Sequence, residues 1–347
     1  MVSTPVTVQC NTATCLAALP NELIGLMMQH LPAADLATVC RTSKFLKSIS
    51  APVLHRAVSL TTGSQLELFL ESIQNCSENS IWYTAREFSL KKLREPDVEP
   101  ASPRCAVELT DALCRMTQLK VLKLVTVVID FTELFQRGHF EQLSRLECMV
   151  STGVEDLLSL FLKRHQKLAF LSLDAPRGLE LSGPIILPNL THFYGSCSLL
   201  PAFDFRHLSL TMLRIMLKFV PVDGPESIDL TGIPNVTNVQ VFDAIWPDER
   251  DLLGKIATHL PHVERLAFSR SSFFASRISL PATVDIETNL LKFDALRILN
   301  FGSTGGNQVD DRDTVLRWGA ACQTLQWITL NQQRWYRRKK GWAISTQ

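Results

Sequence analysis

One pattern of apolar positions returns along most of the chain: apolar, two residues, apolar, one residue, apolar. Copies stand at Leu119/Leu122/Leu124, Leu143/Leu146/Cys148, Leu168/Leu171/Leu173, Leu190/Phe193/Gly195 and Leu210/Leu213/Ile215. The series continues at Val236/Val239/Val241, Val263/Leu266/Phe268, Leu296/Leu299/Phe301 and Leu325/Ile328/Leu330, with an earlier copy at Ala85/Phe88/Leu90. The last two apolar positions of each copy have strand periodicity, so the residue between them points to the other face. Helix-like segments precede several copies, at 65–75, 154–165, 248–259 and 312–322. Several of these close on a polar or Pro turn, such as Arg164-His165-Gln166-Lys167 and His259-Leu260-Pro261-His262. The pattern therefore predicts an α/β chain in which short strands and helices alternate, with copies 20 to 34 residues apart.

The first part of the chain is patterned differently. Pro20 suits the first turn of a helix, where its missing N–H is no loss, and Glu22 favours the positive end of the helix dipole. Leu23, Met27, His30 and Leu31 follow at helical spacing. Pro32 ends that helix and starts a second, striped by Leu36, Val39 and Cys40. Ser43 is placed to cap a third, carrying Phe45, Leu46 and Ile49 and stopping near Pro52. Three such helices in about 40 residues expose more apolar surface than they cover among themselves. Either a groove on a partner or the rest of the chain must cover the remainder.

Residues 16–60 resemble the F-box, in which Leu-Pro-x-Glu-Leu/Ile is followed by Leu-Pro/Ser-x-x-Asp-Leu and then by Val-Cys/Ser-Arg/Lys and an aromatic residue. Leu19, Pro20, Glu22, Leu23, Leu31, Pro32, Asp35, Leu36, Val39, Cys40 and Arg41 match in order and spacing, and Phe45 stands where many members have Trp. Residues 52–60 also resemble the Pro-x-Leu-Tyr-Arg-x-Val-x-Leu exit of fungal F-box proteins, with His55 in the place of Tyr. The resemblance implies docking on the Skp adaptor, and through it on a cullin, by Leu19, Pro20, Glu22, Leu23, Leu31, Pro32, Leu36, Val39, Cys40 and Phe45, some of which must serve internal packing. It implies a non-catalytic substrate receptor of a Skp–cullin–F-box ubiquitin ligase, with a scaffold acting outside ubiquitin transfer as the alternative.

From residue 61 to 347 the repeating strand and helix are the signature of a leucine-rich-repeat-like, right-handed solenoid. The repeats look like the irregular ones that accompany F-boxes in fungi; the Asn that usually follows the strand is mostly missing. An ordinary α/β sheet would also alternate its elements. In a solenoid the strands line the concave side and offer a target protein the residues between the apolar ones. These are Arg145 and Glu147, His192 and Tyr194, Arg214, Asn238 and Gln240, Arg265, Asn300, and Trp327 with Thr329. Residues 94–106 and 302–313, rich in Pro and charge or in Gly and Asp, read as exposed loops, and residues 1–15 as a disordered leader.

Composition narrows the function further. With 347 residues, 46% of them hydrophobic, and a formal net charge of +1, the chain can bury a large core but lacks the basic balance of a general nucleic-acid binder. No apolar run reaches the ~18 residues of a membrane helix, and the start of the chain lacks a signal peptide's basic and apolar regions. The nine cysteines are scattered without a C-x-x-C pair and read as reduced thiols of a cytoplasmic or nuclear protein, Cys10 and Cys15 being the closest two. Gly195-Ser196-Cys197-Ser198-Leu199 lacks the second Gly of a nucleophile elbow. His259 and His262 lack the zinc helix motif, Gly302–Asn307 lacks the ending of a phosphate loop, and Asp310, Asp311 and Asp313 read as charges near a helix start. No catalytic site, metal or cofactor is expected. The basic run Arg334-Trp335-Tyr336-Arg337-Arg338-Lys339-Lys340-Gly341-Trp342 reads as a terminal strand pair whose aromatics cover the last core layer, or as an import or acidic-partner signal.

Overall fold

The computed structural model describes residues 19–75, 80–91, 103–126, 129–175, 179–206, 210–217, 229–233, 236–242, 249–269, 284–301, 308–339 and 341–345. The expected leader at 1–15, Cys10, Cys15 and the segments 94–102 and 302–307 lie outside them.

Three helices come first: α1 (Asn21–Met28), α2 (Ala33–Thr42) and α3 (Lys44–Leu54). Pro20 and Pro32 stand just before α1 and α2, and Ser43 caps α3 by accepting the Leu46 amide at 3.1 Å. The third helix runs past the expected stop: Pro52 is inside α3, near its end, where the one intrahelical bond it removes costs least. Ile24, Met28 and Leu36 form a small core of their own, against which Val39, Leu46, Ile49, Val53 and Leu54 pack. The Cys40 sulfur and the Ser50 hydroxyl meet at 3.0 Å inside this module.

Everything after α3 hangs on one sheet. Among the described residues it has 13 strands in strictly sequential order. They are β1 (Ala57–Leu60), β2 (Glu87–Leu90), β3 (Val121–Leu124), β4 (Arg145–Met149), β5 (Phe170–Asp174), β6 (His192–Ser196) and β7 (Met212–Met216), then β8 (Asn238–Phe242), β9 (Arg265–Ser269), β10 (Ile298–Phe301), β11 (Trp327–Leu330), β12 (Gln333–Arg338) and β13 (Gly341–Ile344). Each repeat of the apolar pattern supplies one strand of the series β2 to β11. β1, just after the helical module, adds a strand that the repeat pattern does not mark. Neighbours from β1 to β11 are parallel and in register, so Leu122, Leu146, Leu171, Phe193, Leu213, Val239, Leu266, Leu299 and Ile328 form one row. That row and the next, from Leu124 through Leu173 to Leu330, are largely buried in a single core running from Leu60 to Trp335. Each fully buried Leu, Ile or Phe of this kind is worth roughly 1.5–3 kcal/mol of transfer free energy.

One carbonyl just ahead of every strand from β1 to β10 except β7 accepts two amides of the next unit. The Arg56 carbonyl accepts the amides of Arg86 and Glu87, that of Arg86 accepts Lys120 and Val121, and that of Lys120 accepts Ser144 and Arg145. The same double acceptance recurs at Ser144, Ala169, Thr191, Thr237, Glu264 and Arg297. At Ala169 the Thr191 hydroxyl adds a further bond at 2.9 Å.

The connections vary. Helices α4 (Gly63–Asn75) and α5 (Ser80–Thr84) join β1 to β2, α6 (Pro103–Arg115) precedes β3, α7 (Thr132–Arg137) precedes β4 and α8 (Glu155–Arg164) precedes β5. Further on, α9 (Glu249–His259), α10 (Val284–Leu290) and α11 (Gln308–Ala321) precede β9, β10 and β11. Between β6 and β7 lies only a 3-10 turn, Cys197–Ala202, among the described residues. Two expected loops are partly helical: residues 103–106 open α6 and residues 308–313 open α11. Pro103 suits the first helical position, and apolar spacing from Leu109 through Leu113 carries the helix on. In α11, Asp311 is buried and accepts the Asn331 side-chain amide at 2.8 Å, so it anchors the following turn as well as enriching the helix start in negative charge.

The sheet ends in an antiparallel pair, β12 and β13. Asn331 and Gln332, both at positive φ, make the two-residue turn that reverses the chain after β11. Trp335 closes the last layer of the core, and Trp342 lies on α11. A Cβ on Gly319 would stand 2.3 Å from the Trp342 Nε1, which is why this helix turn carries glycine.

His165 is a buried polar brace between consecutive units. Its Nδ1 donates to the Phe161 carbonyl at 2.6 Å and its Nε2 accepts the Phe140 amide at 2.9 Å, an arrangement that requires the neutral ring. Burial, helped by nearby His139 and Arg164 and opposed by the bond to Phe161, takes its pKa down to about 4. In the unfolded chain the ring binds its proton near 6.5. Between these values the unfolded state binds more protons, so this stabilisation is complete above about pH 6.5 and is lost as the pH falls towards 4. Thermal melts at pH 7.5 and pH 4.5 should show the wild type losing on the order of 2–3 kcal/mol more than His165→Phe, which has no proton to take up. Equal losses would mean that His165 does not carry the acid sensitivity.

Candidate docking surfaces

Two surfaces come forward. The first is on the helical module. Ile24 and Met28 turn one side of α1 into the module core, and this leaves Leu23, Leu26 and Met27, spaced as neighbours on a helix, 48, 54 and 51% exposed. Leu19, Leu31 and Phe45 are also exposed large apolar residues, and Pro20, Glu22 and Pro32 are exposed beside them in sequence. Leu36 departs from the expected docking set: it is 5% exposed and belongs to the module core. Val39 and Cys40 are half-buried, Val39 against that core and Cys40 against Ser50. The α2 stripe thus packs inward, whereas α1 offers its second apolar side outward. Leu26 was not singled out in the sequence because it falls outside the matched motif positions; its spacing of three from Leu23 was the available signal.

The second surface is the sheet face opposite the core. The candidate residues fall on two of its rows. Arg145, His192, Asn238, Arg265 and Trp327 share one, with Phe170, Met212 and Ile298 between them. Glu147, Tyr194, Arg214, Gln240, Asn300 and Thr329 share the other. Strand alternation fixes this arrangement: the buried Leu146 row separates the two, and the Glu147 row also has the buried row through Leu173 on its other side.

The early part of the face neutralises itself. Glu147 accepts from Arg145 at 2.6 Å and from Lys123 at 3.0 Å, and the Arg145 guanidinium lies 3.9 Å from the centre of the Phe170 ring. Phe170 in turn stacks on His192 at 5.9 Å. Burial, then the positive Arg214 and Arg145, push the His192 imidazole below its ordinary pKa. Tyr194 meets Phe242 edge to face at 5.9 Å. At the far end Trp327 lies against Tyr336 at 5.6 Å, and the Arg338 guanidinium sits 4.7 Å from the Tyr336 ring centre. Lys123, Phe170, Phe242, Arg334, Tyr336 and Arg338 belong to this face but were not among the candidates. The alternation Arg334-Trp335-Tyr336 around one inward Trp is the signal that would have found the last three.

Ser196 and His262, the other polar groups that the sequence brings forward, are engaged elsewhere. Ser196 is buried and accepts from the Ser198 hydroxyl at 3.1 Å. His262 pairs with Asp294 at 2.7 Å, and Cys148 is buried, its thiol pushed up to about 12 by burial and by Asp174. Among the described residues no three of His, Cys, Asp and Glu are grouped to hold a metal, and no helix is long and apolar enough to cross a membrane. A cleft of about 350 Å³ beside His139 and Lys167 uses Lys163 and Arg164 on backbone carbonyls. Another of about 300 Å³ ties Asp204 to Arg206 and Asp229 to Thr231. In comparisons with known proteins, no family model matches the chain and no curated protein matches it.

The two sides of α1 and α2 should respond differently to truncation. Leu36→Ala should destabilise the module by roughly 2–4 kcal/mol, seen as amide exchange in α1 to α3 at least tenfold faster. Leu23→Ala should change local stability by less than about 0.5 kcal/mol. Equal effects in hydrogen-exchange mass spectrometry would contradict this division.

Proposed function

We propose that this chain is the substrate-recognition subunit of a Skp–cullin–F-box ubiquitin ligase, acting in the cytoplasm or nucleus. In this reading α1 to α3 are the F-box, docked on the Skp adaptor. The strands and their connections are a leucine-rich-repeat-like solenoid, whose free face takes a target protein. Catalysis comes from other members of the assembly, and this chain contributes by raising the concentration of target lysines near the charged ubiquitin carrier.

The observation that carries the reading is the exposure of large apolar side chains at the F-box motif positions of a module that already has its own core. Leu19, Leu23, Leu31 and Phe45 are at motif positions, and Leu26 and Met27 extend the same apolar side of α1. Exposed apolar surface of this size on a small helical module marks a partner site, and the resemblance names the partner. The solenoid reading is supported by the strand order. An open doubly wound sheet reverses its strand order at a switch point, whereas here all 13 described strands run in sequence.

Co-purification of the full chain with the Skp adaptor tests the first step. Wild type should bind, and Leu23→Ala with Met27→Ala should weaken binding at least tenfold while the chain stays folded by circular dichroism. A folded wild type that does not bind the adaptor would overturn the ligase reading.

A further inference from the structure

The free face of the sheet changes character along its length. On β3 to β5 its cations are matched: Lys123 and Arg145 both reach Glu147, and Asp174 stands at the end of β5. On β9 to β13 the described strand residues of the same face include no carboxylate. Arg265, Arg334 and Arg338 are exposed and make no ion pair among the described residues. Between these cations lies an apolar strip, Ile298, Trp327 and Tyr336, with Trp327 43% exposed.

We propose that an acidic, extended segment of a target protein docks across β9 to β12, its carboxylates on Arg265, Arg334 and Arg338 and an apolar side chain on Trp327 and Tyr336. The inference rests on reading the free sheet face as the target-binding surface, and it assigns that surface a substrate class. From β9 to β12 is three strand spacings, about 14 Å, which an extended peptide covers in four or five residues at about 3.3 Å each. The strip therefore fits one apolar residue flanked by acidic ones. Arg and Trp are the side chains that most often anchor protein partners, and an unpaired guanidinium takes a carboxylate through two parallel hydrogen bonds. A nucleic acid would need a longer basic track than three arginines on an otherwise charge-balanced chain.

The probe is a fluorescein-labelled peptide, Gly-Ser-Glu-Glu-Leu-Glu-Glu-Gly-Ser, titrated with the full chain and followed by anisotropy. It should bind at least tenfold more tightly than the same peptide with Gln for Glu, and more weakly as salt rises. The double substitution Arg265→Gln, Arg338→Gln should weaken binding at least fivefold, as should Trp327→Ala. Arg265→Gln alone, at an exposed position, gives a variant whose folding is not at risk and should weaken binding at least twofold. Lys123→Gln, on the matched part of the face, should leave it unchanged. Absence of binding, equal binding of the Gln peptide, equal loss in Lys123→Gln, or tighter binding of a ten-nucleotide thymidine strand would each overturn the proposal. Adaptor binding is scored separately: a chain that binds the adaptor but not the peptide sinks only this inference, and one that binds the peptide but not the adaptor sinks only the ligase reading.

Discussion

The fold depends on a single backbone arrangement: a carbonyl that accepts two amides from the following unit. It recurs from Arg56 to Arg297, with the Thr237 hydroxyl replacing the second amide at Thr211, and marks where the next parallel strand begins. A unit of four or five strand residues has too little surface to hold itself, and its backbone groups are satisfied only when a neighbour lies alongside. Because that register is held by backbone groups alone, the connections are free to differ. A helix of 14 residues at α11 and a 3-10 turn of six after β6 return the chain to equivalent places.

This division explains what could be read from the sequence. Strands β2 to β11 were legible because each contributes two buried positions two apart, as at Leu171 and Leu173. They were legible even where the second apolar position is degraded to Gly195, whose missing side chain makes room for the Phe193 ring. Helix α6 was not legible, and α11 starts at Gln308, four residues ahead of the 312–322 that its pattern marks. Pro, Gly and Asp dominate 94–106 and 302–313, and composition weights these as loop residues, yet Pro at a first helical turn and Asp near a helix start are stabilising. In the helical module, spacing marked Leu36 as apolar without saying which apolar side faces inward. A helix with two apolar sides needs the third dimension to sort them, and the structure turns the α2 stripe and one side of α1 inward and leaves the second side of α1 outward.

Charge shows a similar separation between what is used up and what is offered. Arg164 and Arg337 spend their guanidinium groups on backbone carbonyls, at Phe135 and Gln136 for one and at Gly319, Gln323 and Leu325 for the other. They splice neighbouring elements and act as mortar. Arg334 and Arg338, on the opposite side of the same strand β12, make no such bond among the described residues. A run that looks uniformly basic in sequence is thus sorted by strand alternation into a structural half and an available half.

The joint between the helical module and the sheet is short: α3 ends at Leu54, β1 starts at Ala57, and His55 and Arg56 alone lie between. Arg56 is also the first of the carbonyls that lock one unit to the next, and His55 is buried enough to lower its pKa below the ordinary value. The first tie between units thus follows the helical module directly, and α3 also lies against α5 of the first connection. Were each surface to hold a partner, a joint this short would make the separation between the two partners a property of the chain itself. A cargo held at the far end of the sheet would present the same few surface positions to whatever the helices hold, and which of its side chains came within reach would be decided by geometry rather than by chemistry.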